Sequence, residues 1–352
     1  MRAMELNLGL SIVGSANFLP PDKAFTNLEI LRRHPEFQGQ SETRLNIFAR
    51  RIQQEFGFGT RNLVHFPGTP IDPHELTSED LAKSALQKAF AATPLLQPDQ
   101  KFQPEVLIHG TTTTSRYTGS QATALAGAMG WSIPSYETRT GCATSLGVLH
   151  LGWILMQAGF SRLALSVGET LSKVINPLYR DDWFGMGDGA SCLLLEKKQD
   201  HPQLRVRRSV FWTQGQFADL YTTPATLPPH QSGLSEGRYF LHGDPLQLRE
   251  QAKKGYLEML ELLLPSPADR QSLRWIVPHQ VNLGLVKEVV QDGKLAGEIL
   301  WSAQEIGNIG GSSVMYTFVD HWQKGTFQKG DRILLMSVGG GLSIAGQLWT
   351  VE

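Results

Sequence analysis

Residues 141–169 read GCATSLGVLHLGWILMQAGFSRLALSVGE, and residues 310–341 read GGSSVMYTFVDHWQKGTFQKGDRILLMSVGGG. Each stretch opens on glycine beside a polar or reactive side chain, passes through a helix-like segment, and ends on an apolar strand closing in Ser-Val-Gly. Upstream of each lies another apolar strand, PEVLIHG (104–110) before the first and LRWIVPHQ (273–280) before the second. Two βαβ-type units related by duplication account for this pattern better than chance does.

Working outward, LNLGLSIVGSANFLP (6–20) is a β-rich run ended by Pro20 and Pro21, and ASCLLLE (190–196) is a buried strand. TSEDLAKSALQKAF (77–90) is an amphipathic helix, with Leu81, Ala82, Ala85, Leu86 and Ala89 at helical spacing and a capping pair in Thr77 and Asp80. Strands alternating with helices make an α/β protein with an at least partly parallel sheet. Residues 212–245 read as a long loop rich in Pro, Gly, Ser and Thr, and the polar stretch 34–75, with Pro67, Pro70 and Pro73, reads as irregular.

A chain of 352 residues exceeds the size at which one core usually stops growing, so two domains or two halves are expected. Its 32 Lys+Arg against 33 Asp+Glu give no electrostatic case for nucleic acid or a membrane surface. RVRR (205–208) alternates like a strand with one solvated face. Two cysteines cannot build a disulfide framework, no apolar run is long enough to span a bilayer, and the start lacks signal-peptide features. A soluble protein of the reducing cytoplasm is expected.

Of the two cysteines, Cys192 within GASCLLLE suits a small buried hydrophobe. Cys142 differs because it opens a helix, where roughly half a unit of positive charge and unpaired N–H groups stabilise a thiolate. The small residues Gly141, Ala143, Thr144 and Ser145 let a carbonyl approach the backbone, whose Cys142 amide can serve as an oxyanion donor. Duplication puts Cys142 and Asn308 in equivalent places. His279 ends the strand WIVP, and Gly339, Gly340 and Gly341 end the strand ILLMSV. Groups at such strand ends are the usual occupants of α/β active sites. No metal-ligand spacing appears, and GGGLSIAG lies too close to the end of the sequence for a dinucleotide unit. Papain-like hydrolases also use Cys, His and Asn with roughly 130–150 residues between the first two. Here the gap is 137, but the local signature of those enzymes is missing around Cys142.

GLSIVGSANFLP, GCATS, MGDGAS (186–191), VPHQVNL (277–283), GNIGGSSV (307–314) and KGDRILLMSVGGG (329–341) together resemble the thiolase-fold condensing enzymes, in their β-ketoacyl-acyl-carrier-protein synthase III branch. That resemblance implies a thiolase-like fold, two duplicated halves in αβαβα layers, with the nucleophilic cysteine in residues 1–200 and the His, Asn and glycine loop in 201–352. It implies Cys142, His279 and Asn308 as catalytic residues, Cys142 and Gly340 as oxyanion-hole amides, and a structural turn at Asp188. Arg61 and Asn282 are the substrate-binding candidates. The implied reaction loads an acyl group from a coenzyme A or acyl-carrier-protein thioester onto Cys142. Decarboxylative Claisen condensation with a malonyl or β-ketoacyl thioester follows; the alternative passes the acyl group to an alcohol or amine. No cofactor or metal beyond the phosphopantetheine-linked substrates is implied, and a homodimer is expected, with a heterodimer as the alternative. Gly284 replaces the arginine usual in carrier-protein docking, and the tryptophan and arginine that clasp the coenzyme A nucleotide are not evident. Both departures point to a member from specialised metabolism.

Overall fold

The apolar runs of the sequence become the strands of one continuous sheet, and the structure, a computed structural model, describes residues 2–93, 102–177 and 179–352. In chain order the strands are β1 (Met4–Phe18), β2 (Val106–Gly110), β3 (Ser135–Thr138), β4 (Arg162–Thr170), β5 (Asp188–Lys197), β6 (Leu204–Thr213), β7 (Trp275–Pro278), β8 (Glu298–Ile299), β9 (Arg332–Gly339) and β10 (Ser343–Val351). Their spatial order is β8-β7-β9-β10-β6-β1-β5-β4-β2-β3. The order is symmetric about the antiparallel β6–β1 pair. On each side two antiparallel pairings come first, β1–β5–β4 and β6–β10–β9. Two parallel pairings follow, β4–β2–β3 and β9–β7–β8. The repeated unit thus has matching topology in both copies.

Six helices matter for the site: α1 (Glu42–Phe56), α2 (Ser78–Ala91), α3 (Thr144–Gln157), α4 (Pro245–Leu263), α5 (Leu283–Asp292) and α6 (Ser313–Gln323). α2 covers β1, β4 and β5, whereas α4, with α5 beside it, covers β6, β9 and β10. α3 and α6, the helices of the two repeated units, touch strands of both sides. They form the middle layer of an α–β–α–β–α stack; α3 is apolar nearly all round, whereas α6 buries its first two turns and ends on the polar Asp320, His321 and Gln323. Trp153 of α3 and Phe318 of α6 pack edge-on against Trp349 of β10, at ring-centroid distances of 5.8 and 4.9 Å. Fully buried Gln347 accepts both indole N–H groups, at 3.0 Å from Trp153 and 2.9 Å from Trp349.

α2 follows the sequence expectation closely. Thr77 and Asp80 form a reciprocal capping box, and Leu81, Ala82, Ala85, Leu86 and Ala89 are all fully buried. The stretch 34–75 departs from its irregular reading, because α1 occupies fifteen of its residues. Leu45, Phe48, Ala49 and Ile52 of the helix share one apolar face at helical spacing, Leu45 and Ile52 buried and Phe48 and Ala49 packed beside them, a period obscured by the polar and proline-rich composition of the stretch. Its ends are well marked: the Ser41 hydroxyl accepts the Arg44 N–H, and Gly57 stops the helix at φ +82°. Within 212–245 the chain makes a two-strand ribbon, Tyr221–Thr222 against His242–Gly243, and a short helix Gln231–Ser235. On β6, Arg205 and Arg207 pair with Glu352 and Arg208 with Glu5, consistent with a solvated strand face.

Candidate active site

In both halves a short 3₁₀ turn feeds the middle-layer helix: Gly141–Ala143 before α3 and Gly310–Ser312 before α6. Gly141 and Gly310 open these turns at φ +59° and +56°, left-handed values that favour glycine. This match corrects the expected equivalence of Cys142 and Asn308. The structural counterpart of Cys142 is Gly311, and Asn308 lies three residues upstream of it.

The two turns meet. A Cβ on Gly311 would lie 3.0 Å from the Gly141 carbonyl oxygen and 2.7 Å from the Thr144 Cβ. The Ser145 hydroxyl donates to the Gly311 carbonyl and accepts the Met315 N–H at 3.3 Å, tying α3 to the start of α6. The end of β9 closes against the same place. A Cβ on Gly339 would lie 2.6 Å from the Cys142 nitrogen, so only glycine fits there. Ser337 donates to the Cys142 carbonyl at 2.8 Å, and the Gly340 N–H is directed at the Cys142 sulfur. The amides of Gly340 and Cys142, expected as the oxyanion pair, are therefore brought together around one sulfur.

The helix-start argument anticipated an acidic thiol, but the environment acts the other way. Cys142 keeps some accessible surface, yet desolvation and then the Glu169 carboxylate push its thiol up to about 12, against the lowering pull of the Gly340 and Cys142 amides. Cys192 is wholly buried in the core, as its neighbours suggested.

His279 is held at the end of β7 by its N–H to the Met336 carbonyl of β9 at 2.8 Å. It is 1% exposed, and neither ring nitrogen has a hydrogen-bond partner among the described residues. Burial lowers it to about 3, so the imidazole is neutral and carries one N–H free to donate. Asn308 is pinned at the backbone, its N–H to Gly185 at 2.7 Å and its carbonyl to Gly187 at 2.9 Å. Its Oδ1 accepts the Gly310 N–H at 2.9 Å. That bond fixes which end of the amide is spent, and leaves the Nδ2 end as donor.

The weaker candidates sit elsewhere. Arg61 has no exposed surface; it donates to Asn27 Oδ1 and to the Phe184 and Phe25 carbonyls, and its Cβ flanks Gly187 and Gly307. The structure places it as a brace behind the Asn308 loop rather than on a ligand-facing wall. Asn282 caps α5 by accepting the Leu285 N–H at 3.0 Å. Asp188 is structural, as its turn suggested: its carboxylate accepts from Val64, Ser172 N–H and Ser172 Oγ, while burial raises it to about 6.

Two side chains near the sulfur escaped the sequence reading. Tyr221, from the 212–245 segment, lays its carbonyl oxygen 2.8 Å from the Cβ position of Gly340 and donates its phenol to Asp182 at 2.8 Å. Glu169 is the penultimate residue of β4, wholly buried, with its carboxylate held by Thr111, Thr112 and Thr113. Its signal was present: a charged residue closing the apolar run RLALSVG. No cluster of metal-ligating groups occurs among the described residues.

Five layers around two mirrored turns, with a cysteine under a glycine amide and a neutral histidine at a neighbouring strand end, define a thiolase-fold condensing enzyme. Residues 136–215 match the family described as 3-oxoacyl-[acyl-carrier-protein] synthase III, and residues 266–351 match its C-terminal region. The two matches support a synthase III-like enzyme. The chain is 26% identical over 332 residues to β-ketoacyl-[acyl-carrier-protein] synthase III 3 of Streptomyces coelicolor, covering 92% of each chain. The solved 3-oxoacyl-(acyl carrier protein) synthase III of Pseudomonas aeruginosa superposes with TM-score 0.79 at 19% identity, over 97% of this chain and 98% of that one. AbyA1, a tetronic acid condensing enzyme, superposes equally well, also at 0.79 and 19% identity, over 97% and 99% of the two chains.

Proposed function

We propose that Cys142 takes an acyl group from a coenzyme A or acyl-carrier-protein thioester and passes it to a carbanion, formed by decarboxylation of a malonyl thioester or by loss of the α-proton of a β-ketoacyl thioester to solvent. The observation that carries this reading is the Gly340 N–H directed at the Cys142 sulfur beside the Asn308 turn. In the first half-reaction sulfur attacks the thioester carbonyl, and the oxygen takes up negative charge under the Cys142 and Gly340 amides. The pantetheine thiol leaves with the proton that Cys142 gives up. In the second, loss of carbon dioxide or of the α-proton leaves an enolate, whose oxygen is matched by two neutral donors, His279 and the Asn308 amide. Each such donor typically lowers a barrier by ~3 kcal/mol. The enolate carbon attacks the acyl-cysteine, carbon–sulfur bond cleavage frees Cys142, and a β-ketoacyl thioester departs.

The missing nucleotide clasp favours a carrier-protein donor over coenzyme A, and Gly284 in place of the usual docking arginine points to a dedicated carrier protein and a role in specialised metabolism. A reaction on such thioesters belongs in the cytoplasm; among the described residues no helix is long and apolar enough to cross a membrane. We read the chain as two halves, 1–200 and 201–352, a division supported by the β6–β1 symmetry of the sheet. A homodimer joined through the central sheets is expected, in line with the free outer edge of β3.

The test is a panel of acyl-coenzyme A and acyl-carrier-protein donors read by intact mass. Wild type gains the acyl mass from at least one donor and Cys142→Ala from none. Release of carbon dioxide on adding malonyl thioester then supports condensation, whereas transfer of the acyl group to an alcohol or amine supports simple acyl transfer.

A further inference from the structure

Glu169 is an unusual neighbour for a nucleophilic sulfur. It is a fully buried carboxylate, and among the described residues no Lys, Arg or His pairs with it. Its charge is met instead by a neutral cradle. The Thr112 N–H lies 3.0 Å from both oxygens, the Thr113 N–H 3.1 Å from Oε2, and the Thr112 and Thr113 hydroxyls 2.9 and 2.7 Å from Oε2. Thr111 adds a longer contact of 3.4 Å. The cradle is itself anchored, since Ser78 donates to the Thr113 carbonyl and the Thr170 N–H to the Thr113 hydroxyl. On its other side Glu169 Oε1 lies 2.8 Å from the Cβ position of Gly311, the counterpart of Cys142 in the second half. The carboxylate therefore occupies the junction of the two catalytic turns.

A buried charge without a counter-ion is costly, and a protein whose only need was packing would do better with a neutral side chain. The groups facing Glu169 are the three threonines of 111–113, the backbone of Gly310 and Gly311, Thr144, and Cys142. Cys142 is the only ionisable one among them. We propose that Glu169 is a positioning residue that governs the reactivity of Cys142, its threonine-held carboxylate setting a negative field at the junction of the two turns. Through that field the thiol stays protonated and inert while the site is empty, and its proton leaves only as a thioester is attacked. The proposal rests on Cys142 being the nucleophile, not on the identity of any acyl donor.

Burial raises Glu169 to about 7, with the Thr113 and Thr112 hydrogen bonds opposing the shift, so its charge changes within an accessible range. Iodoacetamide alkylation of Cys142 in the full chain reads the effect without any acyl donor, so its failure is separate from failure of the proposed reaction. Cys192, fully buried, is distinguished by peptide mapping. For wild type the rate should climb with pH and bend to a shallower slope near 7, as Glu169 ionises and opposes the thiolate. In Glu169→Gln the bend should vanish and the rate above it should rise about tenfold, the usual effect of removing one nearby like charge. Thr112→Val removes one donor to the carboxylate and should move the bend to higher pH. A folded Glu169→Gln protein that keeps the wild-type bend and rate overturns the proposal. If that variant does not fold, an unmoved bend in Thr112→Val overturns it instead.

Discussion

His279 shows most clearly how one residue's surroundings decide its chemistry. A histidine titrating near 6.5 in water would be half charged in a mildly acidic solution, and a charged imidazole would protonate the enolate instead of holding it. Burial at the end of β7 brings it to about 3 and keeps it a neutral donor. The same shift is a stability statement. Below 6.5 the unfolded chain takes up a proton at this position and the folded chain does not, so the contribution is complete above 6.5 and is lost as pH falls toward 3. The denaturation midpoint of wild type should therefore drop between about pH 7 and about pH 5 by more than that of His279→Gln, measured in parallel. For activity, His279→Ala and Asn308→Ala should each cut condensation by about 10²–10³-fold while leaving acylation of Cys142 largely intact. Equal loss of both steps, read by intact mass and by product formation, would contradict the donor roles.

At the scale of elements, the paired 3₁₀ turns are the part of the site that depends most on backbone. Gly311→Ala puts a methyl group 2.7 Å from the Thr144 Cβ and 2.8 Å from Glu169 Oε1. Overpacking of this kind typically costs about 1–3 kcal/mol. Urea denaturation should show that loss, and Cys142 acylation should slow because the displaced turn holds the Asn308 amide through the Gly310 N–H and abuts Gly141. Ser41→Ala at the exposed start of α1 is a control away from the cysteine turn: it should cost about 1 kcal/mol and leave acylation unchanged. These elements differ in how far the sequence revealed them. α2 was legible to its capping pair because five apolar residues recur on one face. α1 carries the same kind of signal, Leu45, Phe48, Ala49 and Ile52 at helical spacing between Ser41 and Gly57, but the polar composition around it and the prolines at 67, 70 and 73 masked it. Cys142, His279 and Asn308 were legible through motifs at element boundaries. Glu169 left only the hint of a charge closing an apolar run and Tyr221 none, because their importance comes from contacts across the fold: Glu169 reaches Thr111–Thr113 from a different strand, and Tyr221 meets Gly340 from a two-residue strand too short to show a period.

For the whole molecule, the duplication was legible but the way its copies join was not. Nothing in the apolar pattern of β1 and β6 says that they pair with each other, since either could as well be an edge; the register Met4 to Ser209 through Leu10 to Leu204 emerges only in the fold. The consequence is a middle layer shared by both halves, where Trp153, Phe318 and Trp349 interlock around a single polar atom, Gln347 Oε1. Among the described residues that atom is the only acceptor of the two buried indoles, and the Gln347 amide in turn donates to the Leu146 carbonyl at 3.4 Å. Gln347→Leu keeps nearly the same volume, so no cavity of consequence opens, but it leaves two buried N–H groups without acceptors. Each unsatisfied donor costs about 1–3 kcal/mol, so the variant should lose about 2–6 kcal/mol against wild type. Because α3 and α6 both begin at catalytic turns and both pack on this cluster, the loss should fall on folding and catalysis together: a lower urea midpoint with an unchanged m-value, and slower acylation of Cys142 at temperatures where the variant is still folded. A variant that is destabilised yet acylates at the wild-type rate would show that the turns are held by their own glycine contacts alone, independently of the shared layer beneath them.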